Sequence, residues 1–166
     1  MADFLSAINE GLSNAVFAKK QNTEIYTIIE DLSRQVQVAS AGLVGVALIE
    51  QNLPLTEGEV TIARLLNGVK YKALVLKHRK LENDFTVLAR WQHDQDGYPV
   101  HIYIEKFKYA CADKQSIEAT LLKIINRPAF GSSLHNLMIK RKSGEELKEP
   151  EEIKLKDTSK KPVIKK

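Results

Sequence analysis

The fifteen residues from Trp91 to Glu105, WQHDQDGYPVHIYIE, hold two histidines, two aspartates and a glutamate around an Asp-Gly pair. They read as a metal or acid/base site or as the corner of a β-hairpin, and the choice decides the fold. Asp96-Gly97 supplies the turn conformations a short hairpin loop needs. With a two- or four-residue loop the parity is the same. Phe85, Val87, Ala89, Trp91 and His93 share a face with Val100, Ile102 and Ile104, and His101, Tyr103 and Glu105 point the other way. His93 and His101 then lie on opposite sides of a sheet, where no ion can touch both. His101 and Glu105 share a face but stand about 13 Å apart along a strand. A calcium loop built on Asp94 and Asp96 would put Tyr103 where a bidentate glutamate is required. The stretch is a hairpin, and no metal or cofactor is expected.

Working outward, Asn67-Gly68 is a second hairpin signal, between EVTIARLL and VKYKALVLK. Pairing Leu66 with Val69 places Val60, Ile62, Arg64 and Leu66 on one face with Val69, Tyr71, Ala73 and Val75. Towards the amino terminus, Phe4, Leu5, Ile8, Leu12, Ala15 and Val16 recur at helical spacing behind an Asp3 cap, predicting a helix from Asp3 to about Lys20. After Gln21 and Asn22, the set Ile25, Ile28, Ile29, Leu32 and Val36 predicts a second helix to about Ala39. Gly42 terminates it, and a buried strand follows from Leu43 to Glu50. Pro54 and Gly58 bracket a loop. Beyond the sheet, Asp113 caps a helix carrying Ile117, Leu121, Ile124 and Ile125 that must stop before Pro128, and a short helix starts at Gly131-Ser132-Ser133. The expected fold is α+β: an antiparallel meander of about five strands flanked by two amino-terminal and two carboxy-terminal helices.

The composition, 43% hydrophobic and 28% charged, suits one globular domain, expected over residues 1–139. The net charge of +4 has a particular location. Lys and Arg balance Asp and Glu at 15 each through Ile139, whereas residues 140–166 carry 10 against 6. That last segment lacks aromatic residues and is dense in mixed charge, so a flexible tail is expected. A single cysteine, Cys111, leaves no internal disulfide and points to a reducing cytosol. Asp3 and Glu10 interrupt what a signal peptide would need, and the apolar run Ala39–Ile49 is too short to span a membrane.

Candidate nucleophiles have simpler readings. Cys111 reads as a small buried apolar group, Ser132 and Ser133 as capping residues beside His135, and His78, among Arg79 and Lys80, as a solvated strand end. There is no glycine-rich phosphate loop, and no residue set argues for catalysis. The outer sheet face carries the functional expectation. Lys70, Lys72, Arg90, His101, Tyr103 and Phe107 would gather cations and rings on one side, together with Leu74, Leu76, Leu88 and Tyr109. Such a face suits a protein partner, or a second copy through the sheet face or its edge. The expected function is therefore that of a small cytosolic, non-enzymatic accessory protein. The alternative is nucleic-acid binding by that face, with tail residues Lys140, Arg141 and Lys142 as a further basic arm. Flanking helices that cover the leucines and leave the charged ends wet would explain the same face without any ligand.

Overall fold

The computed structural model describes residues 2–52 and 70–140. Helix α1 (Phe4–Ala39) is followed by strands β1 (Val44–Asn52), β2 (Lys70–His78), β3 (Phe85–Asp94), β4 (Gly97–Ile104) and β5 (Phe107–Cys111). Helices α2 (Lys114–Ile125) and α3 (Pro128–Ile139) complete the described chain. The strands form one antiparallel sheet in sequence order, so the expected α+β meander is the observed architecture.

The amino-terminal helices differ from the expectation: α1 is one continuous helix of 36 residues. The shift of apolar phase near Gln21-Asn22 reads in sequence as a break, but Lys19, Lys20 and Gln21 are good helix formers and neither glycine nor proline interrupts them. The two polar residues serve a different end. Asn22 Nδ2 donates to the Gln95 carbonyl at 2.6 Å, Gln21 Oε1 accepts from the Tyr98 backbone N–H at 3.3 Å, and the Tyr98 hydroxyl reaches Glu24 Oε2 at 3.0 Å. This side of α1 is latched to the β3–β4 turn. Asp3 caps the helix as expected, accepting from the Ser6 N–H. At the other end, Gly42 N–H bonds to the Gln37 carbonyl and Ala41 N–H to the Val38 carbonyl, with Ala41 and Gly42 at φ 51° and 80°. That is a Schellman termination with alanine where glycine is usual.

One core joins α1 (Ile25, Ile28, Ile29, Val36), α2 (Ile117, Leu121, Ile124) and α3 (Phe130, Leu137) to a single face of the sheet. Cross-strand pairs share a face, so the register fixes which side each residue takes. On the helix-covered face Lys72 stands opposite Trp91, and Trp91 opposite Ile102; Leu74 pairs with Leu48 and Ala89, and Leu76 with Val46. Trp91, Ile102 and Val100 point inward as expected, but β2 has the opposite phase: Leu74 and Leu76 belong to the core, and Tyr71, Ala73 and Val75 to the far face. A bulge adds Leu88 to β3 between the pairs Leu74–Ala89 and Val75–Val87, which turns Val87 outward. The two-residue turn Glu105-Lys106 joins Ile104 to Phe107, so Phe107, Tyr109 and Cys111 align with the inner face. The Asn67-Gly68 hairpin and the segment before it lie outside the described residues; over Lys72–Lys77 both edges of β2 are filled by β1 and β3.

Two further expectations change. Helix α3 begins at Pro128, not Gly131, because proline at the first helical position gives up an N–H that has no partner there anyway; Ser132 and Ser133 lie within it. His78 is buried, not solvated, and its Nδ1 accepts from the Lys80 and Leu81 N–H groups to close the β2–β3 turn. Cys111 is buried with Sγ 3.4 Å from Thr120 Oγ1, the packing role expected of it.

Candidate binding surfaces

The expected sheet-face cluster divides between the two sides of the sheet. Arg90, His101 and Tyr103 do share the far face. There the register forms a row Ile49–Ala73–Arg90–Tyr103–Lys108 across all five strands. The Arg90 guanidinium lies 5.6 Å from the Tyr71 ring centre and 5.2 Å from that of Tyr103, and the Lys108 ammonium is 5.7 Å from Tyr103. Tyr103 also donates its hydroxyl to Gln92 Oε1 at 3.2 Å. Arg90 Nε and His101 Nδ1 are enclosed and have no hydrogen-bond partner among the described residues, and Ala73 and Val75 on this face are sealed from solvent. Tyr71 and Lys108 therefore join the cluster. Sequence reasoning placed Tyr71 on the core side and gave Lys108 no role.

Lys72 and Phe107 leave it. Lys72 is on the helix-covered side, where its Nζ donates to the Tyr26 hydroxyl at 3.1 Å. Phe107 is exposed at the mouth of the β4–β5 turn. Lys70 belongs to β2 opposite Asn52. Of the tail residues, Lys140 pairs with Asp84 at 2.7 Å, and Arg141 and Lys142 lie outside the described residues.

Around Lys72 a small polar group lines the rim of the core. Trp91 Nε1 donates to His93 Nδ1 at 3.0 Å, and the His93 ring meets Tyr26 edge-on at 5.8 Å. Burial, and then the nearby Lys72 cation, hold the imidazole below its usual range, with Asp94 opposing weakly. His93 and His101 fall on opposite faces, as the hairpin reading required. Among the described residues no group of three or more His, Cys, Asp or Glu side chains is arranged to hold a metal ion, and no helix is long and apolar enough to cross a membrane.

The second surface is the amino-terminal arm of α1. Among the described residues, Phe4, Leu5, Ile8, Leu12, Val16 and Phe17 are 59–74% exposed, and the buried residues of this helix begin only at Ile25. Residues 4–20 extend roughly 25 Å as helix. All but Phe17 line one stripe, whose centre lies roughly a third of a turn around the helix from the line of Ile25, Ile28, Ile29, Leu32 and Val36. The stripe is thus not a frayed continuation of the core seam. It faces elsewhere. Its amphipathic spacing is plain in the sequence; that the surface it lies on is not this domain's own core is not.

Compared with protein-family models, with curated proteins and with solved structures, the chain gives no match.

Proposed function

We propose that the protein is a non-enzymatic accessory protein of the cytosol that acts by binding another polypeptide, with the arm of α1 as its contact element. The observation that carries this is the exposed stripe Phe4, Leu5, Ile8, Leu12 and Val16 on a helix whose packed half uses a different face. Contiguous apolar surface along one stripe of a helix marks a contact site, because leaving it in water forgoes about 25 cal/mol per Å². The test is whether the stripe serves contact or the fold. Trp91 is the only tryptophan and is buried in the core, so its fluorescence reports unfolding of the domain. In the full chain at submicromolar concentration, Ile8→Glu with Leu12→Glu should leave the urea midpoint unchanged and abolish binding of an apolar dye. A loss of stability above about 2 kcal/mol would make the stripe part of the fold and end this reading.

The far sheet face favours a second reading, nucleic-acid binding, through the Tyr71–Arg90–Tyr103 stack with Lys108. Rings and cations on one twisted sheet suit single-stranded bases and phosphates. Electrophoretic retardation of single-stranded RNA and DNA at two salt concentrations tests it. Retardation that Arg90→Ala and Tyr103→Ala remove would support it; no retardation at low salt would dismiss it.

A further inference from the structure

We infer that the arm of α1 takes a second copy of this chain, the two arms packing antiparallel along their exposed stripes. This rests on the reading above that the arm is a contact element, and it names the occupant. Three features argue for it.

The first is spacing. Leu5, Ile8, Leu12 and Ala15 follow one another at intervals of three, four and three residues, the pattern by which one helix seats its side chains between those of another. The next positions of that pattern, Lys19 and Asn22, are polar, so the seam stops where the helix reaches the sheet.

The second is area. Five stripe residues at the observed exposure each offer roughly 100 Å² of apolar surface. Two identical arms therefore remove about 1,000 Å² from water, the size at which a specific interface begins.

The third is charge. Lys19 lies in line with the stripe and Lys20 beside it, at the base of the arm. Parallel arms in register would set Lys19 against Lys19. Antiparallel arms keep those lysines apart, and they oppose the helix dipoles favourably. The two sheets then project from opposite ends of the pair.

Sedimentation velocity of the full chain from one to a hundred micromolar should show a monomer–dimer equilibrium. Leu12→Lys, near the twofold axis, should raise the dimer dissociation constant at least a hundredfold, with Trp91 emission unchanged. Orientation is read by disulfide trapping. Mixing Leu5→Cys chains with Ala15→Cys chains should give crosslinked heterodimers, and neither variant alone should crosslink efficiently. A chain that stays monomeric at a hundred micromolar while its stripe still binds the apolar dye would overturn the second-copy inference and leave the contact reading standing. Dimers that survive Leu12→Lys, or Leu5→Cys chains that crosslink to themselves, would overturn it as well. Failure of the contact reading gives a different result, the loss of domain stability in the Ile8→Glu, Leu12→Glu chain.

Discussion

Gly97 stands where the β3–β4 turn meets α1, and two constraints exclude any other residue there. Its φ is +94°, and a Cβ would lie 2.5 Å from Gln21 Oε1 and 2.7 Å from Gln21 Cβ. Gly97→Ala should therefore cost about 1–3 kcal/mol, measured by urea unfolding followed at Trp91. Gln21→Ala alone should cost about 1 kcal/mol through the lost acceptor for the Tyr98 N–H. The double variant should cost only a little less than the sum, since Gln21→Ala removes the Oε1 approach at 2.5 Å but keeps the Cβ that lies 2.7 Å from the new methyl. Strict additivity would mean that strain in φ and the Gln21 Cβ contact, not the approach of Oε1, dominate. His93 carries a pH dependence of known sign. Its Nδ1 accepts from Trp91, and burial with the Lys72 cation lowers its pKa. The unfolded chain then takes up a proton near pH 6.5 more readily than the folded one. The contribution of His93 is complete above pH 6.5 and is lost as pH falls from there through the lowered folded-state value. Between pH 7.5 and 5 the stability of His93→Gln should fall less steeply than that of the native chain. Equal slopes would assign the dependence to other groups. The hairpin and the opposition of His93 and His101 were legible because a hairpin's period of two does not depend on its neighbours, although the turn itself is Gln95-Asp96, closed by Asp94 opposite Gly97 with an irregularity at His93. The latch from Gln21 was not, because its partner lies 77 residues away.

At the scale of elements, legibility followed the strength of the period. The run Ala73-Leu74-Val75-Leu76 is buried on both faces, so it has no polar alternation from which to read a phase. Its phase is set by pairing with β1 and β3, and Leu74 and Leu76, expected outside, are inside. The bulge at Leu88 and the turn at Glu105-Lys106 each reverse a face without a glycine to announce them; Glu105 adopts φ 53° itself. The turn is why Phe107 left the expected cluster, and the phase of β2 is why Tyr71 entered it. The end of α1 was legible from Gly42, but the strain lies one residue earlier. Ala41 holds φ 51° in the Schellman turn, a conformation that costs a residue with a Cβ about 1 kcal/mol more than glycine. Ala41→Gly should raise the stability by about 0.5–1 kcal/mol in thermal or urea unfolding. A destabilised variant would show that the methyl packs to greater effect than its backbone is strained.

For the whole molecule, α1 is one helix with two mechanical regimes. From Gln21 to Ala39 it is held by the turn latch and by Ile25, Ile28, Ile29 and Val36 in the core. From Phe4 to Lys20 its apolar residues are exposed, and what holds it is its own hydrogen-bond ladder, the Asp3 cap and propagation from the packed base. A helical segment of that length is marginal in water by itself, since each added turn gains little beyond the entropy it fixes. Amide protection along α1 should therefore be graded. In dilute solution residues 25–36 should exchange only with global unfolding, and residues 5–18 through local fraying at rates orders of magnitude faster. If the arms pair, raising the protein concentration shields residues 5–18 by mass action and leaves residues 25–36 unchanged. Leu12→Lys should then remove the concentration dependence while preserving the gradient. Hydrogen exchange read by mass spectrometry distinguishes these cases. Protection that is uniform over all of α1 in dilute solution would mean that the arm is held by the domain itself, and neither the contact reading nor the paired arms would survive that result.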